Sequence, residues 1–193
     1  MIHSLERLNC EQLDGYLFHT PHYIYDNEIV SAVRACKDRG LVKNIGVSIY
    51  EEADALYAAR SGWVDYIQIP YSVFDQRLNK TDFFKIAEDN HVTVFARSAF
   101  LQGLILMEDR EIPEHLSEAK AHLRQFDDII RRYSFTRTEA ALLFSYKNPA
   151  IDHVVFGVDT VGQLEENLRI AEQAVDFDGC MRELKDHFFD IKR

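Results

Sequence analysis

Short apolar runs rich in β-branched and aromatic residues alternate along this chain with segments whose apolar residues recur every three or four positions. The short runs predict five strands, at residues 15–19, 42–48, 66–69, 92–96 and 153–156. The periodic segments predict seven helices, at residues 26–39, 51–61, 82–89, 116–132, 136–147, 163–174 and 180–189. Because strands and helices alternate, we expect parallel strands joined by right-handed crossovers, which is the α/β class.

Several helix ends carry their own sequence signals. Gly40 provides a stop for the first predicted helix, and Thr81 is the expected N-cap of the third. Thr136 and Glu139 have the spacing of a capping box. The acidic loop at residues 108–114 and the helix after it interrupt the alternation, so we interpret them as an insertion on the loop side of the fold.

The length of 193 residues limits the size of the fold. It suits a single domain over residues 1–193, whereas a complete (β/α)₈ barrel needs roughly 200–250 residues. About five parallel βα units with extra helices leave two interpretations open, and one of them is part of such a barrel. The alternative is a flavodoxin-like, doubly wound sheet, in which the strand order reverses in mid-sheet. An open sheet of this kind usually has a glycine-rich phosphate loop after its first strand, where this sequence reads FHTP at residues 18–21.

The charge balance restricts the class of partner. The chain has 22 Lys and Arg against 32 Asp and Glu, a formal net charge of −10, and no basic run with interleaved aromatic residues. We therefore expect neither nucleic acid nor a membrane as a partner. No apolar stretch approaches the roughly 20 residues of a spanning helix and no signal-peptide core is present, which predicts a cytoplasmic location. Cys10, Cys36 and Cys180 are widely spaced, so we interpret them as reduced thiols.

Polar side chains follow the predicted strands at their carboxyl ends, where ligands meet parallel βα folds. They are His19, Ser48, Gln68, Arg97 with Ser98, Gln102 with Gly103, and residues 157–160. We expect these hydrogen-bond donors and acceptors to converge on one mouth of the fold. Carboxylate pairs and clustered His or Cys residues are missing from this set, which argues against a metal hydrolase and against a glycosidase.

Five sequence blocks, spread in order over nearly the whole chain, carry a family resemblance. They read LDGYLFHTP at residues 13–21, GLVKNIGVS at 40–48, YIQIPYS at 66–72, ARSAFLQGL at 96–104 and GVDTVGQLEENL at 157–168. Together they resemble the C-terminal part of an aldo-keto reductase, and the resemblance implies a partial (β/α)₈ TIM barrel. The resemblance implies an oxidoreductase that needs no metal and transfers hydride between a nicotinamide cofactor, NADP(H) or NAD(H), and a small-molecule carbonyl or alcohol substrate.

The resemblance also implies roles for single residues. His19 matches the family's histidine that orients and polarises the substrate carbonyl. Ser48 and Gln68 match residues that hold the nicotinamide carboxamide. Arg97 stands where many relatives stack a tyrosine on the nicotinamide, and its planar guanidinium is able to stack as well.

The other cofactor residues implied by the resemblance belong to the pyrophosphate and adenosine side. They are Ser98 after the fourth strand, Gln102 and Gly103 by the pyrophosphate, Gly157, Asp159 and Thr160 by the adenosine phosphate, and Gln163, Glu166 and Asn167 by the adenine. Gly157 and Gln163 stand where the family has basic residues around a 2′-phosphate. This implies a weaker or absent preference for NADP over NAD.

One departure from the family concerns the general acid. In the family, the acid tyrosine and the Asp and Lys that tune it precede the histidine strand, and this sequence begins only 18 residues before His19. We therefore expect a truncated chain with an incomplete catalytic set. Tyr23, Tyr25, Tyr50 and Tyr71 lie on loops of the same face, but a tyrosine without an activating lysine has a pKa of about 10 and is a poor acid near neutral pH.

Alternatives accompany these expectations. The exposed edges of a partial barrel are compatible with a homo-oligomer that covers them, with a longer reductase, or with a natural part-barrel. The structural alternatives are Ser48 as a helix N-cap, Gln68 as a barrel-interior residue, Arg97 as a partner of Asp75, and residues 163–167 as an ordinary first helical turn. The alternative function is a non-catalytic binding or scaffold module on the same part-barrel.

Overall fold

The computed structural model describes residues 1–189 as an α/β fold. Its strands, β1 to β5, are Leu13–Phe18, Val42–Ser48, Tyr66–Pro70, Thr93–Arg97 and His153–Val155. Its helices, α1 to α8, are Ile2–Leu8, Asn27–Asp38, Glu52–Arg60, Phe83–Asp89, Ala119–Arg132, Arg137–Tyr146, Val161–Glu172 and Asp178–Phe188. The strands follow one another in the sheet in the order β1-β2-β3-β4-β5. This sequential order confirms the α/β prediction and excludes the flavodoxin-like alternative, in which the order reverses.

The first three strands are parallel and bury one apolar face. Leu13 of β1 pairs with Val42 of β2, and Val47 of β2 pairs with Ile67 of β3. Ile45, Val47 and Ile67 are almost fully buried. Because successive residues of a strand point to opposite faces, the polar residues Ser48 and Gln68 face the other way, at the carboxyl ends of these strands.

Tyr66 occupies the more polar face of β1 to β3. A Cβ atom at Gly46 would lie 2.2 Å from the carbonyl oxygen of Tyr66, so this position requires glycine. The Tyr66 hydroxyl accepts a hydrogen bond from Asn44 at 2.7 Å and donates one to Asp14 at 3.3 Å. Burial and the charge of Asp14 raise the pKa of Tyr66. This hydroxyl is therefore a structural group that keeps its proton near neutral pH.

Several predicted helix ends are confirmed. The Asp26 side chain caps α2 by accepting backbone N–H groups of the first turn. Gly40, just after α2, has a φ of 72°, which glycine adopts without strain. Thr136 and Glu139 form the predicted capping box at the start of α6. Short-range signals thus define these boundaries, as expected from the sequence.

Two helix starts differ from the prediction. The N-cap of α4 is Asp82, so the prediction of Thr81 is wrong by one residue, although the Thr81 hydroxyl still accepts the N–H of Phe83 at 3.2 Å. Helix α5 begins at Ala119 rather than at residue 116, because Glu114–Leu116 forms a separate 3₁₀ turn. Neither difference changes the order of elements.

The chain forms two compact units. The first comprises Met1–Ile69 and Arg77–Phe95, and the second comprises Pro70–Gln76 and the residues from Ala96 onward. Each unit has its own buried apolar residues, for example Ala55, Ala58 and Phe83 in the first and Phe126, Phe144 and Leu184 in the second.

The three cysteines are free thiols, as predicted. Burial raises the pKa of Cys180 to about 12, so this thiol stays protonated and unreactive near neutral pH. Within residues 1–189, no helix combines the length and apolarity that a membrane span needs.

Candidate functional site

In the first unit, the structure brings Ser48 and Gln68 together. The Ser48 hydroxyl donates to Gln68 Oε1 at 3.0 Å, and the Ser48 side chain is nearly buried. The N-cap of α3 is Glu51, so the alternative of Ser48 as a helix N-cap is wrong. His19 lies one residue beyond the end of β1 and is exposed. All three residues thus lie at or near the carboxyl ends of their strands.

Tyr25, on a loop of the first unit, is a weaker acid than an ordinary tyrosine. The Tyr25 hydroxyl donates to Asp54 at 2.5 Å. This hydrogen bond, together with partial burial and the charge of Asp54, raises the pKa of Tyr25 to about 12. A tyrosine next to a carboxylate holds its proton more tightly, which is the opposite of what a general acid near neutral pH requires.

In the second unit, a cleft of about 630 Å³ gathers most of the remaining predicted residues. It is lined by the loop after β4, by β5 with the loop that follows it, by α7 and by Thr138 of α6. The lining residues are Ser98, Ala99, Phe100, Gln102, Gly103, Leu106, Thr138, Val155, Phe156, Gly157, Val158, Asp159, Gln163, Glu166 and Asn167. Of the cofactor residues that the resemblance implies, Arg97 and Thr160 do not line this cleft, and neither do Ser48 and Gln68 of the first unit. Arg97 donates to the Ser98 hydroxyl at 3.2 Å, and Thr160 is the N-cap of α7.

The loop after β4 has an unusual backbone. Ser98, Leu101 and Gln102 have φ angles of 68°, 50° and 57°, and Gly103 follows with a φ of 90°. Residues other than glycine rarely adopt this left-handed region, and such strain tends to occur at ligand sites. Hydrogen bonds from Leu101 N to Ser98 O and from Gly103 N to Phe100 O, both 2.9 Å, hold the turn.

Arg137, the first residue of α6, holds the C-terminal end of this loop by hydrogen bonds. Its guanidinium donates to Met107 O at 2.6 Å and to both carboxylate oxygens of Asp127 at 2.6 Å. The hydrogen bonds to Asp127 raise the pKa of Arg137. Sequence analysis missed this role, because nothing local connects Arg137 with residues 10 and 30 positions away.

The start of α7 is closed by a capping box that sequence analysis also missed. Gln163 Oε1 accepts the N–H of Asp159 at 2.7 Å and that of Thr160 at 3.3 Å, and Thr160 Oγ1 accepts the N–H of Gln163 at 3.2 Å. The signal was the Thr-x-x-Gln spacing of residues 160–163. The oxygen of the Gln163 side chain is therefore committed to the backbone, which leaves its NH₂ group for a ligand.

Asn167 is the most informative residue of the cleft. It lies on α7, two turns into the helix, and is only 4% exposed. No hydrogen bond among the described residues involves its carboxamide, whose polar atoms keep access to the cleft that they line. A carboxamide that opens onto a cleft from a largely buried residue is placed to hydrogen-bond a ligand there. The cleft thus presents two N–H donors and one carbonyl acceptor to a ligand.

Comparison with known proteins identifies the family. Residues 2–179 match the family model described as "Aldo/keto reductase family". The chain belongs to this family. It is 25% identical over 180 residues to the uncharacterized oxidoreductase YqkF of Bacillus subtilis, an alignment that covers 87% of this chain and 58% of that protein.

Solved aldo-keto reductases show the fold. An aldo-keto reductase from Bacillus halodurans in its apo form superposes with a TM-score of 0.74 at 21% identity, over 96% of this chain and 65% of that one. The glycerol dehydrogenase from Gluconobacter oxydans gives 0.73 at 18%, over 95% and 60%. The chain therefore spans less than two thirds of these relatives, and the prediction of a partial (β/α)₈ barrel is confirmed.

Proposed function

We propose that this aldo/keto reductase chain binds a nicotinamide dinucleotide, NADP(H) or NAD(H), and serves hydride transfer to or from a small-molecule carbonyl or alcohol. The observation that carries the proposal is the cleft of about 630 Å³, with the carboxamide of the largely buried Asn167 on its wall. The residues around it are those that the family resemblance implies for the adenosine side of the cofactor.

The cleft fits an adenosine group. Its volume lies within the range of about 300–1,000 Å³ that small-molecule sites occupy. Phe100, Phe156 and Val158 supply apolar and aromatic surface for a flat ring. The carboxamide of Asn167 supplies donors and an acceptor for the polar edge of an adenine, so the residues present match the group chemically.

The resemblance assigns residues of the first unit to the reacting end of a nicotinamide and to its substrate. The cofactor, when bound, supplies or accepts the hydride. Gln68 has its Oε1 engaged by Ser48, which orients its NH₂ group as a donor to a carboxamide oxygen. The exposed imidazole of His19 donates a hydrogen bond to the substrate oxygen and stabilises the negative charge that develops there.

Reduction of a carbonyl also needs a proton donor, and whether the chain has one distinguishes two candidate functions. Tyr25 does not supply it efficiently, because its pKa is raised to about 12 by Asp54. This observation favours the second candidate, a binding module that holds the nucleotide without turnover. In the enzyme reading, the proton comes from another donor or from water.

Calorimetric titration of the purified chain with NADH and with NADPH tests the proposal. We expect micromolar binding of at least one nucleotide, weakened about tenfold or more in Asn167→Ala. The matched control is Asn90→Ala, because Asn90 is an exposed residue of the first unit whose side chain donates to Ile86 O of its own helix. Absence of heat, or equal affinity in both variants and the wild type, overturns the proposal.

Turnover then distinguishes the two candidates. Oxidation of the bound nucleotide by a small aldehyde, lost in His19→Gln, supports the oxidoreductase. Nucleotide binding without aldehyde-dependent oxidation supports the binding module. The predicted homo-oligomer and the predicted cytoplasmic location stay predictions.

A further inference from the structure

The first unit contains a second cavity, which we call the α2/α3 groove. It has a volume of about 730 Å³ and is lined by residues between Ile24 and Trp63, from α2, α3 and the segments that flank these helices. His19, Ser48 and Gln68 lie outside its lining. The groove is therefore separate from the residues that the proposed function uses.

The charge of the groove is opposite to that of the chain. The chain has 22 Lys and Arg against 32 Asp and Glu, yet the described lining contains two arginines, Arg34 and Arg60, and no carboxylate. Both residues are exposed, and neither guanidinium forms an ion pair or a hydrogen bond with another described residue. By contrast, Lys37, also on α2, is paired with Asp65 at 2.6 Å. The groove thus presents two positive charges that other side chains of the described region do not neutralise.

The helix dipole accounts for only one of these arginines. Arg60 is the last residue of α3, where a cation interacts favourably with the carbonyl end of a helix. Arg34 precedes the last turn of α2, in which Lys37 already supplies a cation. Consecutive right-handed crossovers place α2 and α3 side by side and in the same direction. Both arginines therefore belong to the same, C-terminal half of the groove.

The remainder of the groove is mainly apolar. Ile24, Val30, Leu56 and Tyr57 contribute aliphatic and aromatic surface, and the half-buried Trp63 lines it as well. Its volume lies within the range of about 300–1,000 Å³ that small-molecule sites occupy. A guanidinium pairs with a carboxylate in its own plane, and aromatic side chains pack against a flat apolar ring. The lining therefore matches a ligand that has an apolar body and an anionic group.

We propose that the α2/α3 groove binds a small organic anion, a carboxylate carried on an apolar ring, with Arg34 and Arg60 as the partners of the carboxylate. The ring packs against Tyr57 and Trp63. This is a second ligand site, beyond the proposed function and distinct from the nucleotide cleft. A bare anion leaves the apolar lining unfilled and a neutral ring leaves the arginines unpaired, so binding needs both parts of the ligand.

The position of Trp63 makes the site easy to test on the full chain. Trp63 is the single tryptophan of the sequence, so its fluorescence reports on this groove. The probes are 4-tert-butylbenzoate, its neutral amide 4-tert-butylbenzamide, and inorganic phosphate. We expect the benzoate to change the fluorescence in a saturable way, with a dissociation constant below about 1 mM, and the amide and phosphate to bind at least about tenfold more weakly.

Variants of the arginines then assign the binding to the groove. Arg34→Gln and Arg60→Gln should each weaken benzoate binding about fivefold or more and leave the amide unaffected. Arg39→Gln is the matched control, because Arg39 is an exposed arginine at the C-terminal end of α2 outside the lining. His19→Gln is the second control and should keep the benzoate affinity of the wild type.

Four results would overturn the inference. One is the absence of a saturable fluorescence change with the benzoate. Another is equal binding of the benzoate and of the amide or phosphate, which would reduce the groove to an apolar surface or to a basic patch. The third is a loss in Arg34→Gln and Arg60→Gln no larger than in Arg39→Gln. The fourth is a loss in His19→Gln, which would place the anion at the strand ends. None of these results bears on the nucleotide cleft, which is tested with NADH and NADPH.

Discussion

The guanidinium of Arg137 forms two parallel hydrogen bonds of 2.6 Å to the carboxylate of Asp127. The same side chain donates to the carbonyl of Met107, so it joins α5, α6 and the end of the loop that lines the cleft. Lysine cannot reproduce this planar fork. We expect Arg137→Lys to lower the free energy of unfolding by about 2 kcal/mol and to weaken NADH binding severalfold, measured by denaturant titration and calorimetry.

The control for this substitution is Arg124→Lys. Arg124 pairs with Asp109, but the two side chains are 68% and 42% exposed, and such surface pairs contribute little. We expect a change in unfolding free energy of less than about 0.5 kcal/mol and unchanged NADH affinity. If Arg137→Lys changed the unfolding free energy and the NADH affinity no more than Arg124→Lys does, the hydrogen bonds of Arg137 would not be what holds the loop.

Asn167 is predicted to favour ligand binding at the expense of stability. Leucine has a similar size and replaces a polar group on a largely buried residue by apolar atoms, so Asn167→Leu should leave the unfolding free energy unchanged or raise it by about 1 kcal/mol. The same change should abolish NADH binding. Thermal unfolding with and without NADH measures both effects. A variant that is strongly destabilised would instead mean that the carboxamide has a structural role.

Gln163 is predicted to act mainly as a helix cap. Glutamate serves the capping box of α6 at the equivalent position, Glu139, so Gln163→Glu should keep the unfolding free energy within about 0.5 kcal/mol. Gln163→Ala should lower it by about 1 kcal/mol, since the capping interactions are lost. NADH affinity should stay nearly constant in Gln163→Glu. A tenfold loss of NADH affinity in a stable Gln163→Glu variant would assign the residue to the ligand instead.

Tyr25 gives stability a dependence on alkaline pH. Its pKa is about 12 in the folded chain, against about 10 when unfolded. Because the folded value is the higher one, the contribution of the hydrogen bond to Asp54 is fully present below about pH 10 and is lost as the pH rises towards about 12. The difference in unfolding free energy between wild type and Tyr25→Phe should therefore shrink over this range, while the wild type shows one more high-pKa step in phenolate absorbance. A difference that does not depend on pH would contradict the assignment.

The order and type of the strands could be predicted from the sequence because apolar runs and helical periodicity are local properties. Val42–Ser48 agrees residue for residue, whereas β1 starts at Leu13 rather than at residue 15. That earlier start depends on pairing with Val42 of the neighbouring strand, which a single segment does not reveal. Helix α1, Ile2–Leu8, was not predicted because seven residues give too few turns for a periodic signal.

The candidate site could be predicted in part. Ser48 and Gln68 were expected together because parallel strands end at one edge, and the structure joins their side chains. The resemblance singled out Asn167, but only the structure shows that the residue is 4% exposed and lines the cleft. The link from Arg137 to Met107 spans elements that are distant in sequence, so it follows only from tertiary packing.

The most direct test of the nucleotide cleft is an amide correlation NMR spectrum of the labelled chain during titration with NADH. The account predicts that the side-chain NH₂ signals of Asn167 shift in a saturable way, together with the backbone signals of Gly103 and Gly157, which line the same cleft. Signals of these three residues that stay unmoved at millimolar NADH would contradict the account.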